Sequence, residues 1–324
     1  MNINDVLELV KEDIEAVEKN LIENLDSEVQ MVNEVASYVF ESGGKRMRPV
    51  FLNLSSRLFE YSGERAIILS GVVEYIHTAT LLHDDVIDGA KYRRGRKSAN
   101  NVFGNDITVL CGDFLYSRAF VNLVKDGDSE IQMILANAAK TMSEGEVFQL
   151  VKTAQFNLDI EDYIKIINSK TAVLFSSCCE IGAILGNASA KQQQAIKEFG
   201  TITGQAFQIS DDILDYMGDP AVTGKKPGTD LNEGKMTLPV ILLRDMATET
   251  EKKELHNIIV EEEFSEENLN RILELMKKYE IRKHSEEYVD KLLNKTKDLL
   301  NMLPDNEYRK ALSFLSEYMI KREK

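Results

Sequence analysis

Six aspartates stand in two matching patterns. In "LLHDDVIDG", residues 81–89, Asp84, Asp85 and Asp88 follow an apolar run, and in "QISDDILDY", residues 208–216, Asp211, Asp212 and Asp215 do the same. On a helix, residues four apart share a face one turn apart, so Asp84 aligns with Asp88 and Asp211 with Asp215. Asp85 and Asp212 lie about 100° round from their neighbours. The apolar lead-ins "TATLLH" and "GQAFQIS" place these carboxylates inside, where unpaired charge is costly. Two such walls around one cavity would repel unless cations lay between them. Hard oxygen ligands select Mg²⁺ or Mn²⁺, and Mg²⁺ takes one or two carboxylates, completing its shell with water and phosphate oxygens. The chemistry indicated is metal-held phosphate. One such motif could be a solvated acidic turn; two with the same spacing speak against that. A calcium loop is excluded, since glycine at the sixth loop position and glutamate at the twelfth are missing.

Local basic clusters supply the complementary charge. "GGKRMRP" (43–49) offers Lys45, Arg46 and Arg48 just before Pro49, in the setting of a helix first turn, whose dipole favours anions. "KYRRGRK" (91–97) puts Arg93 and Arg94 a few residues after the first acidic motif, and "TGKKPG" (223–228) follows the second. Arginine suits bidentate phosphate contacts. Separate basic loops near two acidic helices point to two phosphorylated ligands, one bound with metal and one without.

These residues need helices to carry them. The five prolines, Pro49, Pro220, Pro227, Pro239 and Pro304, sit where helices should begin or end. Between them apolar residues recur at spacings of three and four, and alternating strands with hairpin turns are missing. The expectation is an all-α chain of about a dozen helices in a single domain, 1–324. Residues 64–88 and 160–186 have little polar face and suit buried positions, whereas 248–270 is heavily charged and suits solvated surface helices. The 324 residues carry a net charge of −15, which disfavours nucleic acid as a partner. No apolar run approaches the ~20 residues of a membrane span, and the N-terminus lacks a signal-peptide pattern, so no transmembrane segment and a cytoplasmic location are expected. Three cysteines, two of them adjacent, suit packing rather than disulfides or zinc.

Taken in order, "GGKRMRP", "EYIHTATLLHDDVIDGAKYRRG", "GDFLYSRAF", "EGEVFQL", "SKTAVLF", "GQAFQISDDILDY" and "GKKPGTDLNEGKMTLP" span nearly the whole chain. This ordered set resembles the trans-type isoprenyl diphosphate synthases, or polyprenyl synthetases, and its details are most similar to the bacterial long-chain octaprenyl branch. The resemblance implies an all-α isoprenoid synthase fold, a helical bundle around a deep central cavity, as a homodimer. It implies Mg²⁺-dependent head-to-tail condensation of isopentenyl diphosphate onto an allylic diphosphate such as farnesyl diphosphate. Carried over residue by residue, Asp84, Asp85, Asp88, Asp211 and Asp212 bind the Mg²⁺ ions that hold the allylic diphosphate, and Asp215 acts through water. Arg93, Lys170 and Lys225 contact that diphosphate, with Lys235 a fourth. Lys45, Arg48, His77 and Arg94 hold isopentenyl diphosphate without metal, and Phe207 and Gln208 border the reacting carbons. His83 is assigned to packing or support.

Cleavage of the allylic C–O bond leaves a carbocation and a diphosphate of growing negative charge, which the cations would stabilise. No Ser/His/Asp or Cys/His nucleophile is evident. The product should grow along the helix carrying Asp84, away from the metals. Ala79 and Thr80 lie about one turn before Asp84 and are small, which leaves that path open, with Ile76 and Val73 continuing its wall. Leu123 and Leu135 are the candidate floor, and the product expected is near C40, octaprenyl diphosphate. The alternatives are a short-chain farnesyl or geranylgeranyl synthase and a subunit of a heteromeric synthase. A terpene cyclase would need neither "GGKRMRP" nor the second acidic motif.

Overall fold

In the computed structural model the described residues are 1–25, 27–218, 227–261 and 265–320. Seventeen α-helices occur among them, more than expected, because short breaks split segments that apolar spacing joins. One such break is at Gly104 (φ 87), between α6 (Ala99–Phe103) and α7 (Asn105–Asp126). The backbone forms two compact units.

The first unit comprises Met1–Ala139, Ser177–Lys197 and Met302–Leu312. Its central helix is α5 (Glu64–Ile87), packed by α2 (Lys11–Glu23), α4 (Met47–Leu58) and α7. Leu69, Val72, Val73 and Ile76 of α5 are fully buried, each contributing about 1.5–3 kcal/mol. Glycine permits two close approaches here. A Cβ on Gly112 of α7 would lie 2.4 Å from His83 Nε2 of α5, and one on Gly182 would lie 2.5 Å from the Ser55 Cβ of α4. His83 is therefore a packing residue, its Nε2 3.2 Å from the Val109 carbonyl, as the sequence suggested. By length and composition α5 and α7 could each cross a membrane, which the sequence reading did not foresee; the apolar window is 67% buried in α5 and 39% in α7.

Among the described residues one hairpin interrupts the helices. Strands Tyr92–Arg93 (β1) and Arg96–Lys97 (β2) pair antiparallel, Tyr92 opposite Lys97 and Arg93 opposite Arg96. The two residues between them, Arg94 (φ 52) and Gly95 (φ 76), both have positive φ, as a type I′ turn requires.

The second unit comprises Lys140–Ser176, Glu198–Asn301 and Ser313–Lys324. Its core gathers Ile209, Leu238, Ile241, Leu255, Ile272 and Ile281. The charged stretch 248–270 is solvated on one face only. Within it α14 (Glu249–His256) buries Leu255, and the following α15 (Glu266–Lys278) buries Ile272, Leu275 and Met276. Charged pairs such as Arg271–Glu254, at 2.7 Å, occupy the outer face. The apolar stretch 160–186 is likewise divided, into α9 (Ile160–Ile167), a π-helical turn (Asn168–Ala172) and α10 (Val173–Leu185).

Candidate active site

The first acidic motif ends α5. Its helix stops in a Schellman arrangement: Gly89, at φ 60, donates its N–H to the Val86 carbonyl, and Ala90 donates to the Asp85 carbonyl. Three carboxylates thus crowd the negative end of a helix dipole, where a cation is favoured. Asp84 and Asp85 are buried, while Asp88, at the cap, is exposed. The Asp85 carboxylate is engaged by Arg93 from the hairpin, whose Nε and Nη2 lie 2.7 and 2.6 Å from Oδ1. Burial raises the Asp85 carboxyl above its ordinary value, and the Arg93 charge opposes that rise.

The proposed isopentenyl diphosphate residues Arg48, His77 and Arg94 act on one another electrostatically. His77, on α5, is held well below its ordinary value by burial and then by Arg48, Arg94, Arg93 and Arg46, so it is a neutral imidazole at pH 7. Arg94 sits at the hairpin tip, and its guanidinium donates to the Gly43 carbonyl of the "GGKRMRP" loop. Lys45 is exposed on that loop, whereas Arg46 turns inward and is buried. Tyr38, Ser42, Thr78, Arg93, Arg94 and Lys97 line a pocket beside them.

The second motif lies in the last two turns of α11 (Ala190–Met217), again at a helix C-terminus. Asp212 is buried and doubly held: Tyr163 Oη donates to Oδ2 at 2.6 Å, and Gln208 Nε2 donates to Oδ1 at 2.9 Å. Both donors favour the ionised form, yet burial and then the Asp230 carboxylate dominate and push Asp212 up to about 8. Asp215 accepts the Asp230 N–H at 3.1 Å, at the start of the short helix α12 (Thr229–Asn232). Gln208 itself accepts from Thr171 Oγ1 at 2.8 Å. Thr171 belongs to the π turn that carries Lys170, whose Nζ lies 2.9 Å from each Glu146 carboxylate oxygen. Phe207 packs its ring on Phe175, with centroids 5.9 Å apart. Lys235 lies 2.5 Å from Glu233 and donates its backbone N–H to Asp230. Lys225 lies outside the described residues.

Of the chain-length candidates, Ala79, Leu123 and Leu135 are buried in the first unit, and the Thr80 hydroxyl donates to the His77 carbonyl at 2.7 Å. Four residues with evident roles escaped the sequence reading: Glu74, Tyr163, Glu146 and Asp230. Glu74 was discoverable as the lone carboxylate within the apolar run "SGVVEYIHTATLL". The others sit in ordinary polar surroundings and left no such mark. Among the described residues no group of three or more His, Cys, Asp or Glu side chains is disposed to hold a metal alone. Both all-oxygen motifs fit a hard divalent ion that completes its shell with phosphate oxygens.

Residues 29–276 match the profile of the family described as "Polyprenyl synthetase". Octaprenyl diphosphate synthase of Escherichia coli K12 is 35% identical over 328 residues, covering the whole of both chains. The crystal structure of a decaprenyl diphosphate synthase from Rhodobacter capsulatus superposes with a TM-score of 0.94 at 36% identity, covering 99% of each chain. A polyprenyl synthase from Caulobacter crescentus, complexed with calcium and isoprenyl diphosphate, gives 0.94 at 34% identity, covering 100% of this chain and 98% of that one.

Proposed function

This chain belongs to the polyprenyl synthetase family and is a trans-polyprenyl diphosphate synthase, and on that premise we propose that it makes octaprenyl diphosphate, about C40, from an allylic diphosphate and isopentenyl diphosphate. Asp84, Asp85, Asp88, Asp211, Asp212 and Asp215 would hold Mg²⁺. When bound, that ion supplies neutralisation of the charge on the departing diphosphate. Arg93, Lys170, Lys225 and Lys235 bind the same diphosphate. Lys45, Arg48, His77 and Arg94 orient isopentenyl diphosphate, with its double bond toward the carbon that becomes cationic. Phe207 and Gln208 border that carbon and keep water from it. The departing diphosphate takes the final proton from the coupled product, so no protein base is required.

The observation that carries these roles is the neighbourhood of His77. A neutral imidazole among Arg48, Arg93 and Arg94 is built to accept and orient a polyanion, and it stands two turns before Asp84 on the same helix. Calcium and isoprenyl diphosphate in the Caulobacter relative support a divalent ion here, and the hard oxygen set favours Mg²⁺. The C40 product rests on the octaprenyl relative and on the small side chain of Ala79, which puts no bulky group about one turn before Asp84 on α5. A homodimer is proposed through α7, which exposes Leu110, Phe120, Val121 and Val124. The enzyme would act in the cytoplasm.

Incubation of the purified chain with Mg²⁺, farnesyl diphosphate and labelled isopentenyl diphosphate should give labelled C40 product. Absence of incorporation by the chain alone would overturn a self-sufficient synthase. Ala79→Phe should shorten the product, and unchanged length would refute the path along α5.

A further inference from the structure

Arg46 occupies a junction of four helices, all in the first unit. It is the residue just before α4, and its backbone is left-handed, φ 45 and ψ 36, a strained region for a residue other than glycine. Its side chain is 4% exposed. Nε and Nη2 donate to both carboxylate oxygens of Glu18 on α2, at 2.6 and 3.1 Å. Nη1 donates to Glu74 Oε2 on α5 at 3.0 Å. Nη2 also donates to the Phe40 carbonyl, at the end of α3 (Gln30–Glu41), at 3.2 Å.

That junction is charged unevenly. Two carboxylates surround one guanidinium, and the surplus negative charge is not wasted. Glu74 also attracts Arg48 and Arg94, offsetting their repulsion and their burial. Glu74 stands three residues before His77 on α5, so the two share a helix face. Arg46 is thus fixed to the helix that presents His77, and it lies between Lys45 and Arg48 in the chain. From the other side Arg94 donates to the Gly43 carbonyl and packs against Gly44, where a Cβ would sit 3.0 Å from Nη1. The loop is pinned from within by Arg46 and from without by Arg94.

We propose that Arg46, with Glu18 and Glu74, is a positioning element for isopentenyl diphosphate: it binds no substrate, but sets the loop that places Lys45 and Arg48 relative to His77. This rests on the function proposed above. A guanidinium fork is required, because only a planar bidentate donor can span Glu18 while reaching Glu74 and the Phe40 carbonyl.

The test is steady-state kinetics of the full chain with each substrate varied in turn. Arg46→Gln should raise KM for isopentenyl diphosphate about tenfold or more, leaving kcat within about threefold and KM for the allylic diphosphate within about twofold. Arg46→Lys, which keeps the charge and loses the fork, should recover only part of that rise. If Arg46→Gln does not fold, Glu18→Gln removes one half-exposed arm while Glu74 and the Phe40 carbonyl still hold Arg46, and it should raise the same KM about three- to tenfold with the fold retained. An unchanged KM for isopentenyl diphosphate in a folded variant overturns the proposal. So does a loss in which kcat and both KM values deteriorate together, which is the signature of a merely structural residue. A wild-type chain that shows no saturation by isopentenyl diphosphate would sink the functional reading itself, whereas a saturating wild type with an unaltered Arg46→Gln sinks only the role of Arg46.

Discussion

Asp85 and Asp212 hold the same place in their motifs, both are buried, and both lie near a helix C-terminus. Their surroundings differ. Asp85 faces a cation, the Arg93 guanidinium at 2.6 Å. Asp212 faces two neutral donors, Tyr163 and Gln208, with a further carboxylate, Asp230, nearby. Asp85 is thus paired with a cation, whereas burial and the neighbouring Asp230 carboxylate favour a proton or a cation at Asp212. The same aspartate spacing has therefore been placed in two electrostatic states by the residues that the fold brings to it.

The largest test of that contrast is catalytic. Asp85→Asn and Asp212→Asn should each lower kcat/KM by about 10²-fold or more, measured at saturating Mg²⁺. If one motif were dispensable, its variant would keep near-wild activity.

Melting of the metal-free chain should separate the motifs by size of effect. Asp85→Asn strands Arg93, which is 34% exposed, but also relieves a carboxylate whose burial outweighs its pairing, so its melting temperature should change little. Asp212→Asn should instead raise the melting temperature. A carboxyl held at about 8 against an ordinary 3.8 binds its proton more tightly when folded, so it contributes stability fully below the ordinary value and loses it as pH rises through about 8. The gain from Asp212→Asn should therefore be larger at about pH 8.5 than at about pH 5.5. Shifts of equal size in both variants would erase the contrast.

A smaller effect is proton release. Binding of Mg²⁺ with an allylic diphosphate at neutral pH should displace about one proton from Asp212, seen by calorimetry in buffers of different ionisation heat, and Asp212→Asn should abolish it. Smallest is Tyr163→Phe, which removes one donor from Asp212 and should raise the Mg²⁺ concentration for half-maximal rate about three- to tenfold, with fold and product length unchanged.

The helical class was legible because apolar spacing of three and four persists along the chain, and helix ends were marked by residues with fixed backbone demands. Pro49 and Pro239 lie in the first turns of α4 and of α13 (Leu238–Met246), and Gly89 closes α5. The aspartates were legible as a repeated pattern. What could not be read was the direction in which adjacent cations point. "KR" at 45–46 gives no sign that Lys45 stays exposed while Arg46 is buried, since that follows from one left-handed backbone residue. Nor could the hairpin be foreseen, because two-residue strands carry no periodicity. Tyr163 and Asp230 approach Asp212 from 49 and 18 positions away in sequence, and only the fold brings such residues together.

The π turn at Asn168–Ala172 has a consequence for gene length. A π turn arises when a helix accommodates one residue more than regular α geometry would hold. Here the turn is lodged against two glycines: a Cβ on Gly145 would meet Ser169 Cβ at 2.3 Å, and one on Gly204 would meet Ala172 Cα at 2.5 Å. Deleting a single codon in this stretch would restore an unbroken helix from α9 into α10. Where the codon lost is that of Ala172, it would also swing Lys170 about 100° around the helix relative to α10, away from Glu146. In this protein, the loss of one residue from a helix would alter chemistry more than folding.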